Sequence, residues 1–163
     1  MESKYEKYVV RRAIPPDPSI QWGIPELGIT EQYFYLRPEG PIKESNTMIE
    51  YAWIVKEAAF GVTQDKPPHS HDCAEIFLFQ GTNPADRNEL GAEIEFWMGE
   101  GQDAEKIKIN TSGLVFVPGG LVHLPIFFRN VRRPLLWMVI GLNIGDSLRK
   151  TRQYPVRGLP AGL

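Results

Sequence analysis

The stretch PPHSHDCAEIFLFQG, residues Pro67 to Gly81, decides how this chain is read. The chain has 163 residues and only three histidines, and two of them, His69 and His71, stand here one residue apart. In extended backbone, residues two apart point to the same side, about 6–7 Å from one another. His69 and His71 can therefore converge on one atom. Glu75 would lie roughly 13 Å further on if the strand ran straight. The chain must then double back through HDCA, with Glu75 opening a returning strand that carries its carboxylate over the imidazoles. Alternation puts Phe77 and Phe79 on the face of Glu75.

The third histidine sits in GLVFVPGGLVHLPIFF, residues Gly113 to Phe128. A strand runs into Pro118-Gly119-Gly120, a tight turn in which glycine supplies a positive φ. His123 opens the next strand and, by parity, takes Pro125 and Phe127 inward unless a bulge intervenes. Three neutral imidazoles and one carboxylate suit a divalent ion such as Fe(II), Mn(II), Co(II), Ni(II) or Zn(II). Four ligands leave positions open on a six-coordinate ion, where water or substrate binds. The plainer reading is that the histidines are hydrogen-bonded core or surface residues and Glu75 the solvent side of a hairpin.

Around these stretches the chain reads as β. Apolar runs recur between turn signals at Ile29–Leu36, Thr47–Val55, Ala74–Gln80, Ala92–Met98, Glu105–Asn110, Gly113–Pro118, His123–Arg129 and Pro134–Leu142. Ile94, Phe96 and Met98 share one face of their strand, and Ile107 and Ile109 point inward from the next. Only DSLRKTRQ, in the tail, hints at a helix. With 15 Gly and 14 Pro, the chain suits short strands joined by turns, in a sandwich or small barrel. Residues 1–45 form a Pro-rich irregular arm, 46–145 the barrel and 146–163 a tail.

Net charge is −2, so no electrostatic footprint for nucleic acid or an anionic membrane surface is visible. The single cysteine, Cys73, allows no internal disulfide and fits a reducing compartment. The charged opening MESKYEKYVVRRAIPP lacks the apolar core of a signal peptide, and no apolar run approaches the ~18 residues of a membrane span. A soluble, cytoplasmic protein is the expectation.

The two histidine stretches resemble the two motifs of the cupin family. The first runs Gly61, His69, His71, Glu75, Gly81, and the second Gly113, Pro118, Gly119, Gly120, His123. Gly61 stands two residues early, Gly113 one residue close to its proline, and Phe127 stands where many members have asparagine; no ligand position is replaced. TNPADRNELGAE, between the motifs, reads as an inserted loop. The resemblance implies an all-β jelly-roll barrel (a double-stranded β-helix) with a metal ion held by His69, His71, Glu75 and His123. It does not imply a reaction, because cupins with this ligand set include dioxygenases, isomerases, decarboxylases, lyases and non-catalytic binders.

Two functions therefore stand side by side. One is a metal-dependent enzyme acting on a small organic molecule, with Glu75 doubling as a catalytic proton shuttle. The other is a cupin that binds a ligand through the metal without turnover, favoured by the lack of an evident barrel-facing acid or base beyond the ligands. In both, Phe77, Phe79, Phe96, Met98 and Phe127 line an apolar substrate pocket, or else fill the core. Cys73 is a small packing residue or a fifth ligand. Tyr33, Tyr35 and Tyr51 are packing residues or acid–base groups, and Gln80, Arg129 and Arg132 pair at the surface or orient a carboxylate. The arm, with Tyr5, Tyr8, Trp22, Tyr33 and Tyr35, is expected to lie across a partner or its own barrel, giving a homodimer.

Overall fold

A computed structural model describes residues 4–14, 29, 33–37, 40, 42, 44–62, 67–145 and 150–155. The strands are β1 (Tyr33–Leu36), β2 (Thr47–Ile54), β3 (Ala58–Phe60), β4 (His69–Ser70), β5 (Ala74–Gly81), β6 (Glu89–Met98), β7 (Glu105–Thr111), β8 (Gly113–Val117), β9 (His123–Arg129), β10 (Leu135–Leu142) and β11 (Arg152–Gln153). They form two antiparallel sheets, ordered β1-β2-β10-β5-β8 and β11-β4-β9-β6-β7, with β3 also paired to β9. No α-helix occurs among the described residues.

The sheets pack face to face because alternate side chains on their inner faces are apolar. Met48, Ala52 and Ile54 on β2, Phe77 and Phe79 on β5, and Trp137 and Val139 on β10 meet Ile94 and Phe96 on β6 and Ile126 and Phe128 on β9. The aromatic rings meet edge to face: Phe60 on Trp137 at 5.1 Å, Phe77 on Phe96 at 5.0 Å, Phe79 on Phe128 at 6.3 Å.

Several expectations change. The returning strand is not a hairpin partner of the His-x-His segment: β4 belongs to the second sheet and β5 to the first, so HDCA crosses between sheets. Parity on β9 breaks as well. His123 pairs with Met98, yet Ile126 pairs with Phe96, so three residues of β9 span two of β6. This bulge, with Leu124 at a φ of 75°, turns Ile126 and Phe128 inward. Phe127, expected inside, instead sits on the opposite face, opposite Glu95 and Ala59 and under the Arg129 guanidinium at 4.8 Å.

The loop between the motifs is shorter than TNPADRNELGAE, since Glu89 to Met98 is strand. Ile107 and Ile109 do point to the inner side, opposite Phe96 and Ile94, but β7 is an edge strand and Ile107 stays exposed. In the tail, Arg152 and Gln153 are strand rather than helix and pair with Ser70 and His69; residues 146–149 of that segment lie outside the described residues. Along the arm, Ile14 bridges Phe34, and Ile29 bridges Ile54, with Ile29 and Phe34 buried in the barrel's own core. Tyr5 and Tyr8 are exposed, and Trp22 lies outside the described residues.

Candidate metal centre

Three histidines from two strand ends meet at one end of the sandwich. His69 on β4 pairs directly with His123 on β9, and the turn after β4 brings His71 beside them. The ring centroids lie 4.6 Å (His69–His123), 5.0 Å (His71–His123) and 5.1 Å (His69–His71) apart. One nitrogen from each ring falls within 4.8 Å of the other two, the spacing of atoms able to share an ion.

Two turns are locked together to achieve this. The Gly120 N–H donates to the His71 carbonyl at 2.8 Å. A Cβ on Gly119 would stand 2.2 Å from the Asp72 carbonyl oxygen, so only glycine allows the approach, and Gly120 itself has a φ of 84°. The loop carrying His71 and the loop leading to His123 are thus held in contact through their backbones.

The ring orientations follow from the remaining nitrogens. His69 Nδ1 lies 3.1 Å from the Pro67 carbonyl and His123 Nδ1 3.1 Å from the Leu121 carbonyl. A carbonyl only accepts, so each Nδ1 carries the proton and donates it, which leaves Nε2 of a neutral ring as a bare lone pair. His71 Nδ1 has Cys73 Sγ at 3.7 Å instead. Each ring is therefore anchored by a partner two residues away, and for His69 and His123 that partner, a carbonyl, also fixes the tautomer, as in metal-ligating histidines.

Glu75 enters from the other sheet. Its Oε2 is 3.3 Å from His71 Nε2 and 3.2 Å from His123 Nε2, with all three side chains buried. Neither Nε2 makes a hydrogen bond. A carboxylate oxygen facing the buried lone pair of His123 Nε2 is repulsive unless a cation lies between them. Burial, reinforced by the neighbouring His123, holds the His69 pKa down to about 4. Burial also lowers His71, against the opposing pull of Glu75. Both rings are thus kept in the neutral, ligating form. Burial, then the Glu75 charge, raises the Cys73 thiol, which keeps it a protonated neighbour of His71 rather than a thiolate ligand.

Of the expected pocket residues, Phe77 packs edge-on to His123 at 5.6 Å and to Phe96, and Phe79 lies one row deeper against Phe96. Met98, half-buried, stands opposite His123. Phe77 and Met98 thus adjoin His123, with Phe96 and then Phe79 packed behind them, while Phe127 is on the other face. Tyr33, Tyr35 and Tyr51 stack on the outer face of the first sheet, away from the site. Gln80 is exposed and bonds the Gly81 carbonyl and Ser112, Arg129 lies over Phe127, and Arg132 lines a surface cavity beside Glu93.

Two contributors escaped the sequence reading. The tail strand β11 runs along β4, Tyr154 N–H bonds the Pro68 carbonyl at 2.8 Å, and the Tyr154 hydroxyl lies 3.4 Å from buried Ser70 Oγ, bracing the His-x-His strand from outside. Nothing in RKTRQYP marks this. Glu50 is a barrel-facing acid, opposite Val139 and Phe34 on the inner side of β2. Its signal was available: in TMIEYAWI it shares the parity of Met48, Ala52 and Ile54.

The closed geometry can be set against known structures. Oxalate decarboxylase from Bacillus subtilis superposes with a TM-score of 0.50 at 11% identity, over 76% of this chain and 28% of that one, in one structure. A second structure, at pH 4.6, gives 0.50 at 11% over 75% and 27%. A cupin-like protein of Thermotoga maritima gives 0.47 at 12% over 77% of this chain and 78% of that one. The chain has the cupin fold. At these identities the likeness is one of fold alone, and this chain spans about half the length or less of several chains it matches, including a DMSP lyase of which it covers 52% (TM-score 0.44, 14% identity, 77% of this chain). No family model and no curated protein matches the sequence.

Proposed function

We propose that this cupin holds one divalent first-row transition metal ion (Fe, Mn, Ni, Co or Zn) through His69, His71, Glu75 and His123, and acts as an enzyme on a small organic molecule. The observation that carries the proposal is the pair of buried Nε2 atoms of His71 and His123, neither of them hydrogen-bonded, facing Glu75 Oε2 at 3.3 and 3.2 Å. That arrangement needs a cation, and a borderline ion with nitrogen and oxygen ligands is the one whose donor preferences it meets. Bound there, the ion supplies Lewis acidity or one-electron chemistry.

The chain's own residues orient and enclose the reacting molecule. The three Nδ1 anchors fix the rings, so that each would present its Nε2 to the ion in a set direction. Glu75 is the group able to hold a proton next to a reacting molecule, provided its carboxylate swings off the ion. Phe77, Phe96 and Met98 supply an apolar wall close to His123 and exclude water from that side. The substrate that fits is small, with one chelating end and an apolar body. By its name the decarboxylase acts on oxalate, which makes small carboxylates the first compounds to try.

A second reading, a binder without turnover, is favoured by the edge-to-face packing of Phe77, Phe79 and Phe96, which fills the interior beneath the histidines. One experiment separates the two. Protein purified without chelator or nickel resin is assayed for bound metal, then offered carboxylates, keto acids and catechols under air and under argon. One equivalent of metal with oxygen uptake or a changed product supports the enzyme. Saturable binding with no product for any compound supports the binder. Absence of metal after reconstitution with each of the five ions refutes both.

A further inference from the structure

The second sheet carries a cavity on its outer side, away from the candidate metal centre. Phe96 and Met98 pack into the core, so Trp97 between them turns outward. Beside it lies a cavity of about 400 Å³ lined by Trp97, Tyr154, Pro68, Pro125 and Pro155, with Glu100 among the remaining lining residues. That volume suits a small molecule. The walls are set in advance. Proline has no side-chain rotamers to lose, and Tyr154 is held by its N–H on the Pro68 carbonyl at 2.8 Å and by its hydroxyl 3.4 Å from Ser70 Oγ. Glu100 is the one charged residue among the described lining residues, and no lysine or arginine joins it. Its carboxylate is exposed and has no hydrogen-bond or ion-pair partner among the described residues.

We infer that this cavity binds a small organic cation of the alkylammonium class. Aromatic faces attract positive charge, tryptophan most of all. The Trp97 ring already has the Lys106 ammonium 5.9 Å from its centroid, but Lys106 is held by Glu95 at 3.2 Å and does not line the cavity. The place for a second cation, between the aromatic residues and Glu100, is therefore open to a ligand. An anion would meet the Glu100 carboxylate with no cationic side chain to offset it. A sugar would press hydroxyls against proline and aromatic surface and leave them without partners. A quaternary ammonium ion spreads its charge over methyl groups, so it gives up little hydration on entering a partly apolar space and presents the shape that aromatic faces accept. None of the lining residues is a candidate metal ligand, so the site stands apart from the proposed activity.

Titration of the full chain with choline, followed by amide shifts in heteronuclear NMR, tests the inference. Choline should bind with a dissociation constant of about 1 mM or tighter and shift the amides of Gly99 and Gly101, which also line the cavity. Its uncharged isostere 3,3-dimethylbutan-1-ol should bind at least ~10-fold more weakly. Trp97→Leu should weaken choline about 10-fold, and Glu100→Gln, at an exposed position that leaves folding undisturbed, about 3-fold. Glu93→Gln, on the same strand but outside this cavity, should change nothing. The same affinity is expected with and without metal, so loss of the metal reading leaves this one standing. No saturable shift by ~10 mM choline, an isostere that binds as tightly, shifts that miss Gly99 and Gly101, or equal weakening by Glu93→Gln and Glu100→Gln would overturn the inference.

Discussion

Gly119→Ala is the sharpest test of how the fold builds the site. The new methyl would lie 2.2 Å from the Asp72 carbonyl oxygen. An unstrained carbon–oxygen contact is about 3.3 Å, so the two turns must separate by roughly 1 Å. Both partners are backbone, so neither can rotate away. Separation also stretches the 2.8 Å bond from Gly120 N–H to the His71 carbonyl. Overpacking of this kind costs about 1–3 kcal/mol and the hydrogen bond about 1 kcal/mol more. For a chain of this size the midpoint of thermal unfolding should fall by roughly 5–15 °C.

The functional consequence is larger. His71 and His123 ride on the two separated turns, and metal–ligand distances tolerate only about 0.2 Å. Affinity for the ion should therefore fall at least ~10-fold, read by competition with a chromogenic chelator. Two neighbours serve as controls. Gly120→Ala meets nothing within 4 Å but must hold a φ of 84°, so it should cost about 1–2 kcal/mol and leave the affinity nearly intact. Gly113→Ala, also in open space, should change stability by about 0.5 kcal/mol or less. If Gly119→Ala melted and bound metal like the wild type, the clamp between the turns would not be what positions the histidines.

Three further outcomes are expected. His123→Ala should abolish stoichiometric metal binding, measured by elemental analysis after dialysis, because it removes the one ligand supplied by β9 and a partner of Glu75. The metal-free protein should lose stability as the pH falls from about 6.5 towards 4, followed by thermal melts: His69 in the fold has a pKa of about 4, the unfolded chain binds the extra proton first, and so the fold is favoured above that window and loses on the order of a few kcal/mol across it. Cys73→Ser, which alters only the partner of His71 Nδ1, should leave the fold intact and change metal affinity by about 10-fold or less; loss of binding altogether would make Cys73 a ligand.

Much of this was legible because it is local. His-x-His, the Pro-Gly-Gly turn, the alternation of β5, β6 and β7 and the apolar run of β10 are patterns over a few residues, and the strands sit where those patterns do. Phe77 and Phe79 share the buried side with Glu75 because nothing interrupts β5. What escaped depends on partners distant in sequence. Phe127 was assigned inward on parity alone, but parity carries through a strand only when its neighbour matches it residue for residue, and β9 gains one residue on β6 between His123 and Ile126. β11 is two residues long and exists because Ser70 and His69 offer it an edge. Glu50 is different: its parity was readable, and it weakens the case for a binder that rested on an interior without an acid. It lies two strands across and one row along from Glu75, about 12 Å away.

The crossing of HDCA between sheets has a consequence that a hairpin would not. His69 and His123 belong to the second sheet and Glu75 to the first, with His71 in the link between them. An ion held by all four would join the two layers of the sandwich at the end where the β4–β5 link and the β8–β9 turn meet. Ion binding and closure of the sandwich are then one equilibrium, because separating the sheets breaks the ligand set. An ion at 100 times its dissociation constant adds about 2.7 kcal/mol to the stability of such a fold. Without the ion, the same end of the barrel carries the Glu75 carboxylate against the lone pair of His123 Nε2. The clamp of Gly119 on Asp72 sits there for a physical reason: it holds the sheets in register by backbone contact where side-chain electrostatics alone would push them apart.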